Sequence, residues 1–162
     1  MNKLYIKDSL YKIKQFFKKN KWEPLDFQIE SWTHYLNGHN GIIQVPTGCG
    51  KTYASILAPL LKLSINKDIC GINILFITPL KALSRDSEKS ILEAINFFNK
   101  KITIGIRNGD TSNYEKKKQL IKPPNILITT PESLSLLISN KKSKDLFSNL
   151  NSIIIDEWHE LM

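Results

Sequence analysis

Cysteine and arginine are both scarce in this 162-residue chain, and each scarcity narrows what it can be. Cys49 and Cys70 are its only cysteines, too few for a disulfide framework or a four-thiolate zinc site, which fits a reducing compartment. Arg85 and Arg107 are its only arginines, so the basic residues are almost all lysine; with abundant Asn and Ile, this is a pattern an AT-rich coding sequence produces. No apolar run nears the roughly 20 residues a membrane-spanning helix needs. The first residues are interrupted by charge too often for a secretory signal. Repeats, heptad arrays and low-complexity linkers are also missing. We therefore expect no membrane partner.

What the chain has is a globular composition, 41% hydrophobic and 23% charged, at a length that lets one domain bury roughly 70% of its unfolded surface. Its net charge is +8 with a pI near 9.4. A basic balance is the usual electrostatic footprint of nucleic-acid binding. Composition bias on a solvated face explains it equally well, and both readings stand at this point. Most of the excess lies in residues 1–21, where seven lysines face the single Asp8. Leu10, Ile13, Phe16 and Phe17 recur there at helical spacing, with Lys12, Lys14, Lys18 and Lys19 on the other side, after a cap at Asp8 or Ser9. We read residues 1–21 as a basic amphipathic leader helix whose apolar stripe docks on the domain that follows, a membrane-surface helix being the alternative.

Compact β-branched runs at residues 41–45, 73–78, 102–107, 125–130 and 152–156 predict strands. Helical stretches at 51–63, 83–99, 113–121 and 131–138 separate them, the last with Thr130 as cap and Pro131 at the first helical position. Strands that are apolar on both faces, alternating with helices, predict an α/β fold: a parallel sheet flanked by helices. Lys122, Pro123, Pro124 and Asn125 break the pattern before a strand and read as a loop inside the domain.

Directly after the run at 41–45 stands Val45-Pro46-Thr47-Gly48-Cys49-Gly50-Lys51-Thr52, at the mouth of a helix. Glycines let the backbone curl so that successive N–H groups face inward, and the helix N-terminus adds positive potential. Lys51 could then reach the β and γ phosphates of a nucleotide, and the Thr52 hydroxyl a Mg²⁺ ion. Thr47, Gly48, Cys49 and Gly50 would supply the cradle, with the Cys49 thiol incidental. The general phosphate-loop pattern has Gly where this chain has Val45. At the other end of the chain, Ile153-Ile154-Ile155 runs into Asp156-Glu157-Trp158-His159. Carboxylates at the C-terminal end of a parallel strand sit where such sheets bind ligands. Asp156 would hold Mg²⁺ and Glu157 would polarise an attacking water.

With these residues together, the chain from about Trp22 onward resembles the superfamily 2 nucleic-acid helicases of the DEXH type, most nearly the Lhr-like, ligase-associated DEXH-box DNA helicases implicated in DNA repair. The T-G-x-G-K-T form at residues 47–52 is theirs, and Asp156-Glu157-Trp158-His159 matches the Lhr-like members in Trp158. Trp22, Pro24, Phe27, Gln28 and Trp32 resemble the adenine-recognising segment, in which Gln28 would read the adenine edge with Phe27 as an aromatic neighbour. Three more segments resemble family motifs: Thr78, Pro79, Leu80, Lys81, Ala82 and Leu83 its first DNA-contacting motif; Arg107, Asn108, Gly109, Asp110 and Thr111 its glycine-aspartate turn; and Thr129, Thr130, Pro131, Glu132 and Ser133 its second DNA-contacting motif. In each, hydroxyls or a helix start at a strand end would face phosphates. His159 would couple the nucleotide to the DNA side. The departures are Val45, Cys49 and Asn108, where those relatives usually have Ala, Ser or Thr, and Thr.

The resemblance implies a RecA-like fold, ATP and Mg²⁺ as ligands, and single-stranded or partially duplex DNA as partner, with RNA as the alternative. It implies the N-terminal, ATP-hydrolysing segment of a DNA helicase or translocase, cytoplasmic, and nucleoid-associated in a bacterium or archaeon. Family members continue past the acidic motif with a strand that inserts beside it, then a second RecA-like domain carrying an arginine finger. Arg85 and Arg107 both precede the acidic motif, so neither takes the finger's place. Residues 22–162 are therefore expected to form an incomplete helicase ATP-binding domain whose phosphate-loop strand and acidic strand lack their shared neighbour. Two other readings remain: a non-hydrolysing nucleotide- or nucleic-acid-binding relic, and a phosphoryl-transfer kinase built on the same loop. The segments around Gln28 and Thr129 argue against the kinase.

Overall fold

The structure, a computed structural model, describes residues 3–79, 81–141 and 143–161, and of residues 81–84 and 161 the backbone alone. Helices α1 (Lys3–Lys19), α2 (Asp26–Leu36) and α3 (Lys51–Ser64) come first. Strand β1 (Ile74–Ile77), helix α4 (Lys81–Phe98), strand β2 (Ile104–Arg107), helix α5 (Asn113–Ile121), strand β3 (Ile126–Thr129) and helix α6 (Pro131–Ile138) then alternate. A four-residue helix α7 (Ser143–Leu146), strand β4 (Ser152–Ile155) and a 3₁₀ turn (Trp158–Leu161) complete the described chain. Among the described residues, no helix is long and apolar enough to cross a membrane.

The strands form one parallel sheet in the order β2-β3-β1-β4, with Phe76 level with both Ile128 and Ile154. Alternate side chains go to opposite faces. Ile74, Phe76, Ile126 and Ile128 join a core built with α1 to α4, while Leu75, Ile77 and Leu127 meet Leu137 of α6 and Leu146 of α7. Burial on both faces is why the central strands are apolar at every position rather than alternating, as the α/β reading expects.

Two aromatic residues fix the helices over the main face. Trp32 is fully buried, and its indole Nε1–H donates to the Tyr53 carbonyl at 3.0 Å, so the one polar atom it takes inside is satisfied and α2 is tied to α3. Phe16 of α1 meets Phe17, Trp22, Tyr53, Phe97 and Phe98 at ring-centroid distances of 5.5–6.3 Å. Burying one such side chain contributes about 1.5–3 kcal/mol. The apolar stripe of α1 thus packs into the domain core through Ile13, Phe16 and Phe17. The helix starts at Lys3, not after a cap at Asp8 or Ser9. Its stripe reaches back to Tyr5 and Ile6, which also pack on the core, and Ser9 lies buried on the inward face.

Residues 41–45 are not a strand. Gly41, Ile42 and Gln44 are exposed, Ile42 to 77%, and the segment has no strand partner among the described residues. β-Branched residues favour a ladder but cannot form one alone. Both sides of β1 are taken by β3 and β4, and β4 ends the sheet with no strand beyond it among the described residues. Its outward-facing Ile153 and Ile155 are 58% and 49% exposed, unlike their counterparts Leu75 and Ile77 on β1.

Candidate functional site

Because the sheet is parallel and in register, the C-terminal ends of all four strands share one edge. Thr78, Asn108, Thr130 and Asp156 follow these ends directly, so motifs far apart in sequence meet along one rim. The phosphate-loop segment reaches the rim from outside the sheet and turns into α3. Gly48 and Gly50 hold φ of 81° and 79°, a left-handed conformation that costs an L side chain about 1–2 kcal/mol. Gly50 is the N-cap of α3, which places Lys51 and Thr52 in its first turn, where helix N–H groups have no helical partner.

Lys51 and the acidic strand end meet there. Lys51 Nζ lies 3.1 Å from Glu157 Oε1, with the two side chains only 22% and 15% exposed. Glu157 Oε2 is 3.7 Å from His159 Nδ1. The backbone turns off β4 at Glu157, which has φ of 47°, a conformation rare for a residue with a side chain and the kind of local strain that collects at functional sites. Asp156 N–H donates to the Ile77 carbonyl at 2.8 Å and holds the strand end in register. Burial, and then the neighbouring Glu157 charge, push the Asp156 carboxyl above its ordinary value of 3.8, against the pull of Lys51. A cavity of about 470 Å³ opens between Val45, Pro46, Thr47 and Lys51 on one side and Glu157, His159 and Glu160 on the other. That is within the usual range for a small-molecule site.

Gln28 was expected to face a base, and the structure gives it a further task. It is 3% exposed; its Nε2 donates to the Gly50 carbonyl at 3.1 Å and its Oε1 accepts the Leu25 N–H at 2.9 Å. One N–H and one acceptor site of its amide remain. Phe27 beside it is half-buried. The link from Gln28 to the phosphate loop was not legible in sequence, nor was Glu160 as a cavity wall. The 3₁₀ turn brings Glu160 back, its N–H donating to the Glu157 carbonyl at 2.9 Å.

Along the rest of the rim, the expected presentation of strand-end hydroxyls to solvent is not what the structure shows. Thr78 and Thr129 are fully buried and Thr130 is 4% exposed. Thr129 Oγ1 donates to the Arg107 carbonyl at 2.8 Å and Thr130 Oγ1 to Ser133 Oγ at 3.3 Å, so these hydroxyls brace the turns from inside. The reason is the sheet itself: both faces of the central strands are covered, and that burial takes in Thr129, the last residue of β3, and runs one residue past the strand ends to Thr78 and Thr130. Arg107 is also turned inward, its guanidinium donating to the Lys116 carbonyl at 3.0 Å and Gln119 Oε1 at 3.3 Å on α5, with burial lowering its pKa. What the rim exposes is Gly109, Asp110 and Glu132, with Pro79 and Pro131 half-buried. The Glu132 carboxyl is held below its ordinary value chiefly by its own backbone N–H. The side chain of Lys81, and Leu80 before it, lie outside the described residues.

Residues 25–162 match the family model described as DEAD/DEAH box helicase. The chain is 39% identical over 137 residues to the ATP-dependent helicase Lhr-Core of Sulfolobus acidocaldarius, covering 76% of this chain and 15% of that protein. To the Lhr-Core helicase of Methanocaldococcus jannaschii it is 34% identical over 180 aligned residues, covering 99% of this chain and 21% of that protein. Among solved structures, Mycobacterium smegmatis helicase Lhr bound to ssDNA and AMP-PNP superposes with a TM-score of 0.82 at 29% identity, over 93% of this chain and 20% of that one. This chain thus spans about a fifth or less of the length of these relatives.

Proposed function

On the match over residues 25–162, the chain belongs to the DEAD/DEAH box helicase family, and from that premise we propose that it is the ATP-binding and ATP-hydrolysing segment of an ATP-dependent DNA helicase or translocase that serves DNA repair in the cytoplasm or nucleoid. The observation that carries the reading is the ion pair of Lys51 and Glu157 at 3.1 Å across the cavity. It joins the two halves of a nucleotide site that are separated by most of the chain.

Lys51, together with the backbone of Thr47, Gly48, Cys49 and Gly50, binds the phosphates, and Gln28 and Phe27 hold the base. Phosphates entering the loop draw Lys51 away from Glu157, which frees that carboxylate to orient the attacking water. His159, in reach of Glu157, links the nucleotide to the DNA side. Asp156 and Thr52 supply hard oxygen donors, and the raised Asp156 carboxyl beside Glu157 is the electrostatic setting a divalent cation relieves, so both residues fit Mg²⁺. Bound Mg²⁺ would neutralise charge on the transferred phosphoryl group. The rim from Thr78, Pro79 and Lys81 through Arg107, Gly109 and Asp110 to Thr129, Thr130, Pro131 and Glu132 faces one DNA strand. Arg107 and Thr129 act by shaping its turns, while exposed backbone meets phosphates.

In the whole protein, a second RecA-like domain completes the site; an arginine finger from such a domain is worth roughly 10³–10⁵ in turnover. The isolated chain should therefore bind ATP with Mg²⁺ weakly, hydrolyse it slowly and leave duplex DNA intact. In the full-length protein, Lys51→Ala or Glu157→Gln should abolish unwinding. Unwinding that survives either change, or vigorous DNA-stimulated turnover by this chain alone, would overturn the reading.

A further inference from the structure

We propose that the outward face of α1 is a second binding surface for single-stranded nucleic acid, separate from the strand-end rim. Lys7, Tyr11, Lys14 and Lys18 are all exposed and follow one another at spacings of four, three and four residues, so they form one stripe along the helix. The stripe lies opposite the face that buries Ser9, Ile13 and Phe16. It extends over about 16 Å at the helical rise of 1.5 Å per residue. Among the described residues, no carboxylate forms an ion pair with any of its lysines. Tyr11, 64% exposed, sits in the middle of the stripe and offers a ring on which a base can stack.

An amphipathic basic helix has two common partners, and the packing of α1 separates them. A helix that lies on a membrane must bury an apolar face in the lipid. The apolar face of α1 is inside the protein: Ile13, Phe16 and Phe17 are 0%, 1% and 4% exposed. Leu4 at the first turn and the Tyr11 ring are what the helix shows outward, too little apolar surface to anchor it. What remains is a row of lysines with one aromatic ring, which complements a phosphate backbone with unstacked bases. The inference rests on the charge and exposure of α1 and is independent of whether the nucleotide site turns over.

The test uses the 162-residue chain and a fluorescein-labelled oligothymidylate, read by anisotropy across a salt series. Replacing Lys7, Lys14 and Lys18 together by Gln should lower affinity about tenfold or more at low salt and flatten the slope of log affinity against log salt by about 2, from roughly 0.7 per lost phosphate contact. The same positions replaced by Arg should keep both affinity and slope, which separates lost charge from lost folding. Tyr11→Ala should weaken single-strand binding about fivefold or more and leave duplex binding unchanged. Nucleotide affinity should be the same in all variants. A Gln variant with unaltered affinity and slope would overturn the proposal. So would lysine-dependent capture on phosphatidylserine vesicles with oligothymidylate binding unaffected, which would assign the stripe to membranes.

Discussion

Replacing Gly50 by Ala tests whether the adenine-segment glutamine and the phosphate loop form one unit. Gly50 has φ of 79°, and a Cβ there would come within 2.7 Å of Gln28 Nε2. The left-handed backbone costs an alanine about 1–2 kcal/mol. The amide end of Gln28 can give way only by releasing the Gly50 carbonyl, now 3.1 Å from its Nε2, or the Leu25 N–H on its Oε1. An amide so buried and left short of a partner costs about 1–3 kcal/mol. Together these predict a loss of about 2–5 kcal/mol, which for a chain of this size lowers the melting temperature by roughly 4–20 °C. Urea unfolding of the wild type, Gly50→Ala, Gln28→Ala and the double variant provides the assay. In the Gln28→Ala background the steric part should vanish, leaving Gly50→Ala with only its backbone cost. Equal costs in both backgrounds would show that Gln28 and Gly50 are uncoupled, and a neutral Gly50→Ala would refute the left-handed loop itself.

Asp156 gives a pH signature. Its folded pKa lies above 3.8, so the folded chain holds the proton more tightly than the unfolded one, and stability falls as pH rises from about 3.8 through the folded value. Asp156→Asn should therefore raise stability at neutral pH without Mg²⁺ and lose that advantage below about pH 3.8; the opposite order in urea midpoints would contradict the burial argument. Phe16→Ala removes the centre of the aromatic cluster and should cost about 3–5 kcal/mol; a cost under 1 kcal/mol would mean that α1 is not docked as described. Asn125, 7% exposed, accepts the Thr103 N–H and hydroxyl at 2.9 Å and donates to the Gly71 carbonyl at 3.2 Å. Asn125→Ala should cost about 2–3 kcal/mol by leaving those groups unpaired at the start of the strands, and unfolding at the wild-type urea midpoint would argue against that network.

The parts of this structure that could be read in sequence are those with local causes. Helices α5 and α6 span the residues their patterns predict, 113–121 and 131–138, the second opening at Pro131 after Thr130; at the first, the structure adds a cap in which Ser112 accepts the Glu115 N–H. The central strands were legible because burial on both faces leaves an unbroken apolar run. Residues 41–45 carried the same run without the neighbour that makes it a strand, and no local signal reports a missing partner. The start of α1 was misjudged because Ser9 looks like a cap in sequence and is in fact an inward-facing position. At the site, the residue types of the phosphate loop and acidic strand end foretold which groups meet. Which side chains turn inward was hidden, because Thr129 and Arg107 are placed by contacts with β2 and α5 rather than by their own motif. The bond from Gln28 to Gly50 joins positions 22 residues apart and exists only once α2 packs on α3.

The central claim is that Lys51 and Glu157 face each other across a nucleotide site. Equilibrium binding of a fluorescent ATP analogue with Mg²⁺ to the wild type and Lys51→Ala tests it most directly. The account predicts measurable binding by the wild type and a loss of about tenfold or more, the worth of one charge-assisted phosphate contact, in Lys51→Ala. Equal binding by both chains would contradict it.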